Sequence, residues 1–144
     1  MKMKPNILVP FDFSLHAERA LAWAVDLCRA VGGGSIRLVH IIDPVAPVAA
    51  GRGDAVPPDA RDLARAEASL SDVAARVGMP MAVEARIEPH TGAAILEAGA
   101  RAKSDLIVMS THGRGVMKRL VLGSVADHVV RHAKCPVVTI RGVE

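Results

Sequence analysis

Five short apolar runs alternate strictly with four segments of helical periodicity, and this alternation leaves the chain few possible folds. The runs are Asn6–Pro10, Ser35–Ile42, Met81–Ile87, Asp105–Met109 and Pro136–Ile140. After the first run, Ala17, Leu21, Ala24, Val25 and Cys28 recur three and four residues apart. The same spacing joins Leu63, Ala66, Leu70 and Val73 within residues 59–77, Ile95, Ala98 and Ala102 within 91–102, and Val125, Val129 and Ala133 within 124–133. Ser14 is placed to cap the first helix, and the glycines at 32–34 and at 78 to end the first and second. The pattern β-α-β-α-β-α-β-α-β predicts an α/β fold: a three-layer, Rossmann-like α/β/α sandwich around a five-stranded parallel sheet. Met81–Ile87 sets Val83, Ala85 and Ile87 against Glu84, Arg86 and Glu88, which suits an edge, so the expected strand order is 3-2-1-4-5. A length of 144 residues suits one domain, 1–144. Residues 43–58, rich in Pro, Ala and Gly, read as a loop, of which 44–57 are expected to be the least ordered part and to border the ligand site.

Composition narrows the classes of partner. Aromatic residues make up 2% of the chain, too few for a platform that stacks single-stranded bases. The net charge is +3, with 18 basic and 15 acidic residues interspersed, and no basic run exceeds pairs such as Lys118-Arg119, so no nucleic-acid partner is expected. No apolar run is long enough to span a bilayer and no leader pattern is visible, so the expectation is no membrane partner and a cytoplasmic location. Cys28 and Cys135 read as reduced structural thiols.

In an open parallel sheet, ligands bind beyond the carboxyl ends of the strands, where the strand order reverses. This rule selects residues 10–14, 40–43 and 110–124. The last segment reads Ser110-Thr-His-Gly113-Arg-Gly115, and Gly123-Ser124 follows Gly113 after nine intervening residues. Glycines let backbone N–H groups approach an anion, and a helix N-terminus adds further donors. The segment therefore reads as a phosphate cradle, with the hydroxyl of Ser124 and the charge of Arg114 in support. It also reads as ordinary turn glycines with a helix cap formed by Ser124 and Asp127. Neither a Walker A loop nor a complete dinucleotide fingerprint is present. His128 and His132 lie four apart on what reads as a solvated helix face, and only His112 falls in the loop. No metal site from protein side chains and no nucleophile–base pair emerges. At most slow catalysis is expected.

The spacing Ser110-x-x-Gly113-x9-Gly123-Ser124 resembles the glycine signature of the universal stress proteins. So do Thr111-His-Gly-Arg-Gly115, Cys135-Pro-Val-Val138, the opening Ile7-Leu-Val-Pro-Phe-Asp-Phe-Ser14 and His40-Ile-Ile-Asp43. The resemblance covers essentially the whole chain and implies the family's ATP-binding branch, a role in the stress response and a homodimer paired through strand 136–140. Carried over by position, it implies that Pro10, Phe11 and Asp12 lie at the nucleotide, with Asp12 accepting from a ribose hydroxyl or holding the loop near adenine. Ile41 would contact adenine, and Met109 and Ser110 would lie near the sugar. Gly113, Arg114, Gly123, Ser124 and Val125 would surround the phosphates, with Mg²⁺ bridging them. Ser110 stands where the signature has its first glycine. Its side chain either crowds the ribose or offers it a hydroxyl, and the alternative function is a dimeric stress-response module that binds no nucleotide.

Overall fold

The computed structural model describes residues 4–45, 48, 51, 53–112 and 122–141. The elements are β1 (Asn6–Pro10), α1 (Leu15–Ala30), β2 (Ser35–Ile42), α2 (Ala60–Val77), β3 (Met81–Ile87), α3 (Thr91–Arg101), β4 (Leu106–Ser110), α4 (Ser124–His132) and β5 (Val137–Ile140). The sheet is wholly parallel, in the order β3-β2-β1-β4-β5, as the alternation predicts. β1 has β2 on one side and β4 on the other, so the strand order reverses there and a crevice opens beyond its carboxyl end.

The near-continuous apolar strands follow from burial on both faces. Along β1, Ile7 and Val9 point to the layer of α1 and α2, where they meet Leu21, Val25, Leu70 and Val73. Leu8 points the other way and packs with Ile95 and Ala98 of α3 and Val129 of α4. The central strand thus serves two cores at the two-residue period of its side chains.

Side chains cap the starts of α1 and α2 but not those of α3 and α4. Ser14 caps α1, its Oγ accepting from the N–H of Ala17 at 3.1 Å. Asp59 and Asp62 form a reciprocal capping box at the start of α2, and Gly78 closes that helix at φ +72°. The cap expected from Ser124 and Asp127 does not form. Gly123 is the N-cap of α4, no side chain bonds to its first turn, and Asp127 pairs instead with Arg131 at 2.9 Å. The reason lies outside the helix: the N–H of Gly123 donates to the carbonyl of Thr111 at 2.7 Å, which pins Gly123 to the end of β4 and leaves Ser124 as the first helical residue.

The charged face of the β3 edge is covered rather than wet. Glu84 takes Arg101 of α3 at 2.6 Å and Arg37 of β2 at 3.8 Å. The Arg86 side chain, 16% exposed, reaches Glu88 at 3.1 Å and Glu97 at 3.3 Å. Alternating charge on β3 therefore reports an ion-pair network with α3.

Two buried glycines in α3 have opposite expected responses to alanine. A Cβ on Gly99 would lie 3.5 Å from Leu8 and 3.7 Å from Ile107, an ordinary contact. Gly99→Ala is expected to stabilise the protein by about 0.5–1 kcal/mol, the helix preference of alanine over glycine. A Cβ on Gly92 would lie 2.8 Å from the ring of His128, so Gly92→Ala is expected to destabilise. Urea denaturation of the two variants checks both signs.

Burial pushes the Cys28 thiol up from its ordinary value, and burial followed by the Asp105 carboxylate does the same at Cys135. Both stay protonated at neutral pH, consistent with structural thiols. Incubation of native protein with iodoacetamide is expected to leave both unmodified by mass spectrometry on the timescale in which free cysteine reacts completely.

Candidate functional site

A cavity of about 520 Å³ opens at the crevice beyond β1 and β4. Its depth is apolar. Val39 and Ile41 from β2, Ile95 from α3, Met109 from β4 and Ala126 from α4 form the walls. Polar groups collect at the strand ends: Asp12, Ser110, Thr111 and Ser124. A mostly apolar hollow with a few placed polar groups is the usual build of a small-molecule site.

Three chain segments set the polar side. After β1, the carboxylate of Asp12 accepts from the N–H of Ser14 at 3.0 Å and from its hydroxyl, so a turn that caps α1 also fixes Asp12 at the cavity. After β4, the Ser110 hydroxyl donates to the carbonyl of His112 at 2.8 Å. Thr111, 7% exposed, closes the floor there, its N–H donating to Ile140 and its carbonyl accepting from Gly123. At the third segment, the first intrahelical bond of α4 runs from Asp127 N–H to Gly123 O, so the N–H groups of Ser124, Val125 and Ala126 precede it. With no side-chain cap, these donors and the positive end of the helix dipole lie at residues that line the cavity.

Of the residues singled out from the sequence, Pro10, Phe11, Asp12, Ile41, Met109, Ser110, Gly123, Ser124 and Val125 all line this one cavity. Gly113 and Arg114 lie outside the described residues. The 44–57 segment, expected to border the site, is described only in part. Among its described residues none lines the cavity, whereas Asp43, Val56 and Pro58 line a separate hollow of about 340 Å³ beside Phe13 and α2. His40 lines both hollows, whereas Ile41 lines the cavity and Ile42 the hollow beside α2.

Sequence reasoning passed over Thr91 and Ile95, from the first two turns of α3, and also Val39, whereas His40 and Leu122 fall within the segments selected by the strand-end rule. The histidine at the cavity is His40, not His112. His128 and His132 stack at 4.4 Å on α4, His128 packs under Gly92, and His132 is exposed, so their face is only partly solvated. Among the described residues no group of His, Cys, Asp and Glu is arranged to hold a metal ion, and no helix is long and apolar enough to cross a membrane.

A profile of the universal stress protein family matches residues 3–141. A universal stress protein of Thermus aquaticus, named for its place in the 3′ region of a sulfhydrylase gene, is 37% identical over 96% of this chain and 100% of its own length. The structure of universal stress protein UspA from Lactobacillus plantarum superposes with a TM-score of 0.75 at 24% identity, covering 98% of this chain and 100% of that one. The universal stress protein of Archaeoglobus fulgidus in complex with dAMP gives 0.67 at 21% identity, covering 96% and 99%.

Proposed function

The chain belongs to the universal stress protein family, and from that premise we propose that its cavity binds an adenine nucleotide, ATP in the first instance, as a regulatory module of the stress response. The observation that carries the reading is the uncapped N-terminus of α4 opening beside an apolar slot. The slot between Ile41, Ile95 and Met109 suits the faces of a purine, and the free N–H groups of α4 suit a phosphate chain. Asp12 lines the same cavity, and in this reading its carboxylate accepts from a sugar hydroxyl. The A. fulgidus relative in complex with dAMP supports the class of ligand. Gly113 and Arg114 are assigned to the phosphates by the glycine signature. Mg²⁺ accompanies the triphosphate in this reading, held by phosphate oxygens and water, with no protein ligand assigned.

Freshly purified protein, denatured and analysed for released small molecules, is expected to yield an adenine nucleotide. Nucleotide-free preparations that also give no heat on titration with ATP and Mg²⁺ would refute the reading and leave the second one, a dimeric module without nucleotide. Ser110 is the feature that favours that alternative, because its side chain occupies a position the signature leaves bare.

Dimerisation through β5 is part of both readings. β5 is the sheet edge opposite β3, and its four residues Val137–Ile140 carry no charge. An apolar edge of this kind is suited to be covered by a second copy. Light scattering at micromolar concentration is expected to give the mass of a dimer, and a monomer there contradicts the assignment.

A further inference from the structure

Both phenylalanines of the chain and His40 meet at one point beside the cavity. The Phe11 and Phe13 rings stand edge to face at 5.3 Å, and the Phe13 and His40 ring centroids are 5.0 Å apart. Between the two phenylalanines lies Asp12. Phe13 holds φ +63°, a left-handed conformation that a bulky residue keeps only when its surroundings impose it. The imposing contacts are few. The Phe11 N–H donates to the carbonyl of Val39 at 2.8 Å, which extends the strand pairing by one residue. The Phe11 carbonyl lies 2.8 Å from Nδ1 of His40. A carbonyl only accepts, so Nδ1 carries the proton and donates. His40 thus bonds the last residue before Asp12 from β2, across the strand pair.

Resting on the nucleotide reading above, we infer that His40 is the positioning residue of this site: its Nδ1–H holds the Phe11 carbonyl and so sets the Phe11-Asp12-Phe13 turn that presents the Asp12 carboxylate. The inference separates the donor from the ring. His40→Phe keeps a ring against Phe13 and removes the donor, whereas His40→Asn removes the ring and restores an N–H near the place of Nδ1. Phe13→Gly removes the other ring, and glycine takes a positive φ without cost.

The test has a readout that needs no ligand. Amide hydrogen exchange of Ser14 reports its bond to Asp12, and that of Ala17 reports the cap that Ser14 provides. In ligand-free protein, His40→Phe is expected to speed both about tenfold or more, while His40→Asn and Phe13→Gly stay near the parent, as loss of one hydrogen bond predicts. Equal exchange in His40→Phe and the parent overturns the inference. So does loosening in Phe13→Gly that matches His40→Phe, because ring packing would then set the turn. Titration with ATP adds a second arm: His40→Phe is expected to weaken binding about tenfold, with recovery in His40→Asn and no further loss in an Asp12→Ala background. Additive losses there would show that His40 acts independently of Asp12 and overturn the inference. Absence of binding by the parent would sink the nucleotide reading alone and leave the exchange result to decide the role of His40.

Discussion

Gly123→Val is expected to abolish ATP binding, with an affinity loss of about a hundredfold or more, while the protein keeps its secondary structure. Gly123 is extended at φ −60° and ψ 159°, which any residue can adopt, so the effect is steric and not conformational. A Cβ at this position would lie 3.0 Å from the Thr111 carbonyl and 3.9 Å from Cα of His112. Both are backbone atoms at the end of β4 and cannot swing aside as a side chain would. Relief requires the start of α4 to shift against β4, straining the 2.7 Å bond from Gly123 to Thr111 and displacing the donors of Ser124 and Val125, and the valine methyls add bulk beside those donors. Ser124→Ala is the matching mild change. It removes one hydroxyl and leaves the backbone donors, so binding is expected to weaken about tenfold to a hundredfold, the worth of one hydrogen bond to a charged group. Because Ser124 is not the cap, its loss is expected to leave thermal stability unchanged. Calorimetric titration alongside thermal melts separates binding from folding, and parent-like affinity in Gly123→Val would place the cradle elsewhere.

Leu8→Ala is expected to cost about 2–5 kcal/mol of folding stability, the range for truncating a large buried aliphatic side chain. Leu8 is 0% exposed in the central strand and packs between Ile107, Ile95 and Val129. These neighbours belong to one strand and two helices that pack on other elements as well, so the site has little freedom to collapse around the void. Such a loss is a large share of the about 5–15 kcal/mol that stabilises a typical domain. Urea denaturation measures it, and a change under 1 kcal/mol would mean that the layer beneath the cavity repacks.

The fold was legible because its signals are local and repeated. The apolar runs of β1, β2 and β4 are strands with long buried stretches, each periodic segment presents one stripe, and the charged alternation at Glu84, Arg86 and Glu88 marked β3 as an edge before any pairing was known. The strand-end part of the cavity was legible for the same reason, since Pro10, Asp12, Ile41 and Ser110 follow from where strands stop. Thr91 and Ile95 were not. The stretch Thr91-Gly-Ala-Ala-Ile95 reads as any amphipathic helix start, and only the packing of α3 against β2 and α4 carries it to the cavity. The true cap of α4 was hidden similarly. Ser124 and Asp127 have the right types and spacing, but the bond that decides the matter comes from Thr111, 12 residues away.

The two borders of the sheet differ in what they offer a further strand. Along β3, the side chains of Glu84 and Arg86 are committed to Arg37, Glu97 and Arg101, and an incoming strand would have to displace or desolvate those charges. Along β5 it would meet only Val137, Val138, Thr139 and Ile140. A sheet that can be extended from one border alone has a valency of one. Two copies that meet there by a two-fold axis use up each other's free border, and growth stops at the pair without any separate terminating device. A chain with two apolar borders would have no such limit, and each association would expose a fresh end for the next. With the proposed pairing at β5, the ion pairs along β3 would keep association finite.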